Sequence, residues 1–183
     1  MAQKRVAVFI DLANINGSIQ RLRNKNLFPQ DAGFDFSKLT DKIIPLGSDV
    51  ASKNIYIDIR KDVNPRKQKG FVDSFKRKGF NVVTKEAKYI TKDNGEEKTK
   101  ANMDVELTTD ICRSFWRRDC EEIILISGDS DFAYIADELK NSMITVTIVS
   151  SADTISKELR ERADRLILLD EIDLKDFVIH RHS

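Results

Sequence analysis

The run Val6-Ala7-Val8-Phe9-Ile10-Asp11 indicates the class of fold, because five apolar residues typical of a buried strand end there at a carboxylate. A second such run, Ile123-Ile124-Leu125-Ile126, leads directly into Ser127-Gly128-Asp129-Ser130-Asp131-Phe132. Similar apolar runs alternate along the chain with segments of helical period, which is typical of βαβ units. Because the carboxyl ends of parallel strands meet at one edge of the sheet, both acidic segments are expected at the edge where such folds bind ligands.

The alternation predicts an α/β fold in which five or six mostly parallel strands carry helices on both faces. Helices are expected at residues 15–25, 36–46, 65–78, 101–116, 131–140 and 154–163. Besides the two runs above, strands are expected at residues 55–59, within 81–90, at 145–149 and at 166–169. The turn sequence Asp93-Asn94-Gly95 predicts that residues 89–99 form a small hairpin or a loop.

Length and composition limit the class of protein. The 183 residues, 40% of them apolar, suffice for one core, so residues 1–183 are predicted to form a single domain. The net charge of +1 gives no global basic signature for nucleic acid, although it leaves contacts to a few phosphates open. The sequence lacks a long apolar run, a signal-peptide core and a cysteine framework, so we expect a cytoplasmic protein with no membrane partner.

Carboxylates are the candidate chemical groups at the sheet edge. Asp11 ends an apolar strand, and a carboxylate buried there without a partner is costly. Asp129 and Asp131 follow the second strand, where a single residue suffices to cap the next helix. Two carboxylates are more than a helix cap requires, which indicates a functional site. Carboxylates held close together repel one another, and Mg²⁺ or Mn²⁺, which prefer oxygen ligands, would relieve this repulsion.

Asp104 is expected in the first turn of the next long helix, where the helix dipole by itself would favour a carboxylate. Lys98 and Lys100 precede it on a predicted loop and are well placed for a phosphate of the substrate. Asp110 lies six residues further on. It is therefore expected to point away from Asp104 and to pair with Arg113.

Polar residues near the two strand ends are candidates for orienting a ligand. Asn14 would cap the helix that follows, hold Asp11 in place or donate to a phosphate. Ser127 adds a hydroxyl beside the second acidic segment. The basic segments 60–69 and 76–78 are interpreted as solvated surface or, if the site binds a polyanion, as its rim.

Several catalytic motifs are missing from the sequence. It contains no P-loop, no dinucleotide-binding glycine motif and no G-x-S-x-G nucleophile elbow. The two histidines, His180 and His182, stand in the last four residues, which argues against Ser-His-Asp catalysis and against a histidine metal site.

Three segments in sequence resemble the NYN domain, and more narrowly the LabA-like group of the PIN-like nuclease superfamily. They are Phe9-Ile10-Asp11-Leu12-Ala13-Asn14-Ile15, Lys100-Ala101-Asn102-Met103-Asp104 and Ser127-Gly128-Asp129-Ser130-Asp131-Phe132. The similarity covers about residues 4–170, the core of the predicted domain, and implies a PIN-like three-layer α/β/α fold with a metal-dependent ribonuclease site. It also implies that the family's acidic ligands correspond to Asp11, Asp104, Asp129 and Asp131, and its strand-one asparagine to Asn14.

The leading hypothesis is a Mg²⁺- or Mn²⁺-dependent endoribonuclease that hydrolyses phosphodiester bonds in single-stranded RNA. Asp11, Asp104 and Asp129 would hold the metal, with Asp131 as a further ligand or a support for one. The residues assigned to substrate binding are Asn14, Ser127, Lys98 and Lys100. Two alternatives stay open: a non-catalytic RNA-binding or regulatory module that keeps the metal site, and a metal-dependent phosphatase. The assembly is left open as well, with a homodimer as one option.

Overall fold

The computed structural model of the protein describes residues 3–91, 97–100 and 102–180, with the backbone alone at residues 90, 91 and 97–100. Its strands are β1 (Arg5–Asp11), β2 (Gly33–Phe34), β3 (Asp49–Ile59), β4 (Asn81–Glu86), β5 (Lys88–Thr91), β6 (Glu97–Lys100), β7 (Glu122–Ile126), β8 (Thr145–Ser150), β9 (Arg165–Leu168) and β10 (Val178–Ile179). Its α-helices are α1 (Leu12–Asn24), α2 (Phe36–Ile43), α3 (Pro65–Arg77), α4 (Asp104–Trp116), α5 (Ala133–Asn141) and α6 (Lys157–Arg162). Short 3₁₀ turns cover Ser130–Phe132, Leu169–Glu171 and Lys175–Phe177.

Six of the strands form one sheet in the order β4-β3-β1-β7-β8-β9, and every neighbouring pair in it is parallel. The chain winds outward from β1 through β3 to β4, and then restarts at β7 on the other side of β1. In this doubly wound order, ligands bind at the carboxyl ends of the two strands that flank the reversal. The crevice between β1 and β7 is therefore the expected ligand site. The predicted α/β fold with five or six mostly parallel strands is confirmed.

The two faces of the sheet carry separate hydrophobic cores. Side chains alternate along β1, so that Val6, Val8 and Ile10 pack on one face with side chains from α1, α2 and α3. Ala7 and Phe9 pack on the other face with side chains from α4, α5 and α6. All five residues are buried, which explains why β1 is a continuous apolar run instead of an alternating one.

The segment between β4 and α4 differs from the prediction. Residues 88–91 and 97–100 pair as the antiparallel hairpin β5–β6, one of the two predicted outcomes. The backbone of Lys98 and Lys100 therefore lies in a strand, and the predicted loop for these two residues is wrong. The helix begins at Asp104 instead of at residue 101, which lies outside the described residues. The predicted turn at 93–95 lies outside them too.

Other helices and strands also have different bounds; α1 begins at Leu12 instead of at residue 15, and α2 ends at Ile43 instead of at residue 46. The helix predicted at 131–140 is a 3₁₀ turn followed by α5, and the one predicted at 154–163 shortens to α6. α6 begins where the hydroxyl of Ser156 accepts the backbone N–H of Leu159 and caps it. β3 begins at Asp49 instead of at residue 55, because its first half pairs with β1 as far back as Arg5.

The segment from Lys175 to Ile179 packs against the rest of the domain, which the sequence did not predict. β10 pairs with β2 in an antiparallel ladder, and Phe177 beside it is fully buried. The ring of Phe177 lies 5.7 Å from that of Phe34 in β2. His180 follows β10 and is exposed, and His182 lies outside the described residues. Within the described residues, no helix combines the length and apolar character needed to cross a bilayer.

Candidate active site

Asp11 is the last residue of β1 and the N-cap of α1, so its carboxylate stands at the carboxyl edge of the sheet. Its Oδ1 accepts the backbone N–H of Asn14 at 3.2 Å, which is the usual bond of a helix cap. Its Oδ2 accepts the hydroxyl of Ser127 at 3.1 Å, from the residue that follows β7. The capping role and a place at the ligand crevice are thus combined in one side chain.

The loop after β7 is bound to α1 across the crevice. The side-chain Oδ1 of Asn14 accepts the backbone N–H of Gly128 at 2.9 Å. The hydroxyl oxygen of Ser127 accepts the backbone N–H of Asp129 at 3.3 Å. Because Ser127 is fully buried, its hydroxyl acts by orienting the Asp11 carboxylate and the loop.

Gly128 lies where a side chain has no room. A Cβ at this position would come within 2.4 Å of the carbonyl oxygen of Thr154 and 2.6 Å of the hydroxyl of Ser150. The carbonyl oxygen of Gly128 accepts the backbone N–H of Ser156 at 2.8 Å. The hydroxyl of Thr154 lies 2.6 Å from that of the buried Ser18 in α1. The loop between β8 and α6 is therefore packed directly against the candidate site.

Asp129 caps the 3₁₀ turn Ser130–Phe132, because its Oδ1 accepts the backbone N–H of Asp131 at 3.1 Å. The same residue lines the crevice. Asp131 is exposed at the rim, where its charge helps to raise the pKa of Asp104. The second acidic segment thus places one carboxylate in the crevice and one beside it.

Asp104 reaches the same crevice from α4, of which it is the first residue. Its backbone N–H donates to Oδ1 of Asn102 at 3.0 Å. The ammonium of Lys85 in β4 donates to the carbonyl of Asn102 at 3.0 Å and to Glu106 at 2.6 Å. These bonds fix the start of α4, and with it Asp104, to the edge of the sheet.

The crevice is a cavity of about 210 Å³. Its acidic and amide residues are Asp11, Asp58, Asp104, Asp129, Asn14 and Asn102. Asp58 was not among the residues predicted from the sequence. It interrupts the apolar run Ile55–Ile59 of β3 as Asp11 ends that of β1, so the same signal applied to it. Asp58 lies two residues beyond Tyr56, the neighbour of Asp11 in the sheet register.

The carboxylates of the crevice affect one another's ionisation. Burial raises the pKa of Asp11 above its ordinary value, and the charges of Asp104 and Asp129 raise it further, against the hydrogen bonds from Asn14 and Ser127. Burial is also the largest cause of the raised pKa of Asp104, followed by the charge of Asp129. The folded state therefore holds these negative charges at a cost that a proton or a cation would relieve.

The donor atoms of the crevice fit a hard divalent cation. Carboxylate and amide oxygens are the ligands that Mg²⁺ and Mn²⁺ prefer, and both the composition and the mutual repulsion of this site favour such an ion. Among the described residues, no three His, Cys, Asp or Glu side chains are already grouped closely enough to enclose a metal. The site therefore has the chemistry of a metal site without a closed set of ligands.

Asp110 does not line the crevice. Asp110 pairs with Arg113, as predicted, and also accepts the hydroxyl of Tyr56 at 2.9 Å. Tyr56 lines the crevice, so Asp110 fixes one of its walls without entering it. The side chains of Lys98 and Lys100 lie outside the described residues, and their predicted contact with a phosphate stays a prediction.

The fold and the site define a class of protein: a doubly wound, PIN-like α/β/α sandwich with carboxylates at the switch point of its sheet. The chain belongs to the NYN domain family, which matches residues 5–170. The expected family is thereby confirmed, and it connects the chain with the PIN-like nucleases.

A curated relative and a solved structure are similar to the chain. It is 35% identical over 111 residues to the low amplitude and bright protein LabA of Synechococcus elongatus, which supports a LabA-like protein. The matched stretch spans 60% of this chain and 59% of LabA. A crystal structure of a protein of unknown function from Vibrio parahaemolyticus has the same fold, with a TM-score of 0.70 and 23% identity over 97% of both chains.

Proposed function

We propose that this protein is a divalent-metal-dependent ribonuclease that hydrolyses phosphodiester bonds in single-stranded RNA. The observation that carries the proposal is the convergence of Asp11, Asp104 and Asp129 on one cavity at the switch point of the sheet. These residues come from β1, from the start of α4 and from the loop after β7. The NYN domain family supports a nuclease, and the all-oxygen donor set supports a hard cation.

Asp11, Asp104 and Asp129 would hold the ion. The carboxylate of Asp58 lines the same cavity. A bound Mg²⁺ or Mn²⁺ lowers the pKa of a water molecule and stabilises charge on the phosphate oxygens. This chemistry needs no histidine, which agrees with a chain whose two histidines stand at its end.

The other residues of the site orient these carboxylates. Ser127 and the backbone of Asn14 each donate a hydrogen bond to Asp11, which fixes the direction of its two oxygens. Asn102 accepts the backbone N–H of Asp104. Asp131 is exposed beside the crevice and would serve as a further ligand or as a support for one.

The test is cleavage of end-labelled single-stranded RNA with Mn²⁺ and with EDTA. Asp11→Asn and Asp129→Asn should each reduce cleavage by orders of magnitude, because metal charge stabilisation contributes several kcal/mol to the transition state. Asp110→Asn is the matched control on α4, since an amide oxygen still accepts the hydroxyl of Tyr56. Near-normal cleavage by either site variant would refute the assignment of these ligands.

A second candidate is a non-catalytic RNA-binding module, which is favoured by the absence of a closed ligand group among the described residues. It predicts RNA binding with no metal-stimulated cleavage in the same assay. A metal-dependent phosphatase is the weaker alternative. Phosphatases with a strand-end nucleophile of the D-x-D type need a second acid where Ala13 lines this cavity.

A further inference from the structure

A second cavity, of about 460 Å³, lies between the end of β3, α3 and the outer strand β4. Its apolar floor consists of Ile59, Val63 and Val72. Its α3 wall is a single helical face, because Pro65, Gln68, Lys69, Val72, Asp73 and Lys76 follow one another at spacings of one or three residues. We call this cavity the α3 groove.

The α3 groove lies in the most basic part of the chain. Residues 60–78 contain eight Lys or Arg and two Asp, a net charge of +6 in a chain whose total is +1, so the rest carries −5. The side chains that line the groove include four cations, Arg60, Lys61, Lys69 and Lys76. Two carboxylates, of Asp73 and Glu86, also line it. A positive strip of this size attracts a polyanion.

The groove and the acidic cavity are lined by consecutive residues at the end of β3. Asp58 lines the acidic cavity, while the next two residues, Ile59 and Arg60, line the groove. Successive side chains of a strand point to opposite faces of the sheet. The two cavities therefore lie on opposite faces of the sheet, and a chain molecule would pass over the carboxyl end of β3 to reach one from the other.

The loop that joins the two cavities is held in place. The hydroxyl of Tyr89 in β5 accepts the backbone N–H of Lys61 at 2.7 Å and donates to Asp62 at 2.8 Å. The amide of Gln68 accepts the backbone N–H of Arg60 at 2.8 Å and donates to its carbonyl at 2.7 Å. The basic loop is therefore ordered before any ligand arrives, which reduces the entropy lost on binding.

We propose that the α3 groove binds the nucleotides of single-stranded RNA that flank the bond held in the acidic cavity. Lys61, Lys69 and Lys76 contact the phosphates, and the apolar floor receives a base. Binding of single strands commonly combines a positively charged groove with aromatic side chains on which bases stack. Here the cations line the groove, and aliphatic side chains take the place of the aromatic ones. The inference that the strand is RNA rests on the proposed function. Its path rests on the positive charge of the groove and on the position of both cavities at the end of β3.

The test compares the affinity of the full-length protein for single-stranded RNA of about 4 and about 12 nucleotides, in EDTA so that no cleavage occurs. The variant is Lys69→Ala with Lys76→Ala. The control is Arg117→Ala with Lys140→Ala, which removes the same charge at the carboxyl-terminal ends of α4 and α5. These ends lie at the edge of the sheet away from the site.

The groove variant should bind the longer RNA at least about fivefold more weakly, with a salt slope reduced by about 0.7 for each lost phosphate contact. The affinity of the groove variant for the short RNA should change by less than about twofold. The affinity of the control variant for either RNA should also change by less than about twofold. Equal losses in the groove variant and the control would overturn the proposal, and so would equal losses for the two RNA lengths. Binding to anionic lipid vesicles but not to RNA would also overturn it.

Cleavage with Mn²⁺ separates this proposal from the proposed function. If the ribonuclease proposal and the groove proposal both hold, the groove variant cleaves the short RNA as the wild type does and shows a raised KM for the longer RNA. If the wild type cleaves neither RNA but the length-dependent loss of binding is found, the ribonuclease proposal fails and the groove remains an RNA site.

Discussion

The side-chain oxygen of Asn14 accepts the backbone N–H of Gly128 at 2.9 Å and so joins α1 to the loop after β7. The bond lies at the switch point of the sheet, beyond Ile10 and Ile126, the last residues at which β1 pairs with β7. The hydrogen bond helps to set the spacing between Asp11 and Asp129. Asp11 caps α1 by accepting the backbone N–H of Asn14, and Asp129 follows Gly128 in the loop. Together with the Ser127 hydroxyl, which contacts Asp11 and the backbone of Asp129, this amide positions the two carboxylates relative to each other.

Replacing Asn14 by Ala should destabilise the protein. The N–H of Gly128 is buried and would lose its acceptor, which costs about 1–3 kcal/mol in the free energy of unfolding. Asn16→Ala is the matched control, because Asn16 is exposed on the same helix. Urea unfolding of both variants measures the difference. An Asn14 variant as stable as the Asn16 variant would show that the loop does not depend on this bond.

Gly128→Ala should destabilise the protein by about 1–3 kcal/mol, the usual cost of overpacking, because its Cβ would overlap the backbone of Thr154. Gly17→Ala should do the opposite. A Cβ at Gly17 meets nothing within 4 Å in the middle of α1, so it should stabilise the helix by about 0.5–1 kcal/mol. Thermal unfolding compares the two, and destabilisation by both changes would contradict this description of the packing.

The pH dependence of stability should identify the environment of Asp104. Its pKa is raised in the folded state, so the folded protein holds more protons than the unfolded one as the pH rises through the ordinary Asp range. The contribution of Asp104 to the free energy of unfolding therefore falls as the pH rises from the ordinary Asp pKa to the raised pKa of the folded state. The Asp104→Asn variant does not suffer this loss. The difference in free energy of unfolding, variant minus wild type, should therefore increase with pH over this range.

A carboxylate that served only the dipole of α4 would have a lowered pKa, and Asp104→Asn would then lose relative stability with rising pH. Denaturant unfolding of both proteins at several pH values between about 4 and 7 gives the sign of the difference. Asp137→Asn provides the control, because Asp137 pairs with Arg162 on the surface of α5.

A divalent cation should raise the thermal stability of the wild type. An ion at about 100 times its dissociation constant that binds the folded state alone adds about 2.7 kcal/mol to the free energy of unfolding. Asp129→Asn should lose most of this gain. Without metal it should melt at or above the wild type, because Asn caps a turn about as well as Asp and one repelling charge is gone. Melts in EDTA and in Mn²⁺ that coincide for the wild type would contradict the carboxylate site.

Tyr89→Phe should loosen the loop that joins the acidic cavity and the α3 groove. The change removes the hydroxyl that binds the backbone N–H of Lys61 and the carboxylate of Asp62. Amide hydrogen exchange of residues 60–63 should become faster, while exchange in β1 stays as it was. Tyr134→Phe is the control, since Tyr134 is exposed on α5. Unchanged exchange in the loop would show that Gln68 alone holds it.

Much of the site was predictable because its signals are local. Asp11 and Asp129 each follow an apolar strand, and a parallel sheet brings such strand ends to one edge whatever the details of packing. Asp104 was predictable as the first carboxylate of an amphipathic helix. Asp58 carried the same signal and was overlooked, whereas Tyr56 and Asn102 gave none, because their place at the cavity depends on register and on a turn.

By itself, the sequence determined the alternation of strands and helices, the parallel sheet and the set of carboxylates at its edge. These follow from hydrophobic period and from the cost of placing charge beside a buried strand. Tertiary structure alone decided which carboxylates share a cavity, how Asn14 meets Gly128 across 114 residues of sequence, and that β10 returns to pair with β2. The physical reason is that such contacts depend on the packing of distant segments, which no local pattern of residues encodes.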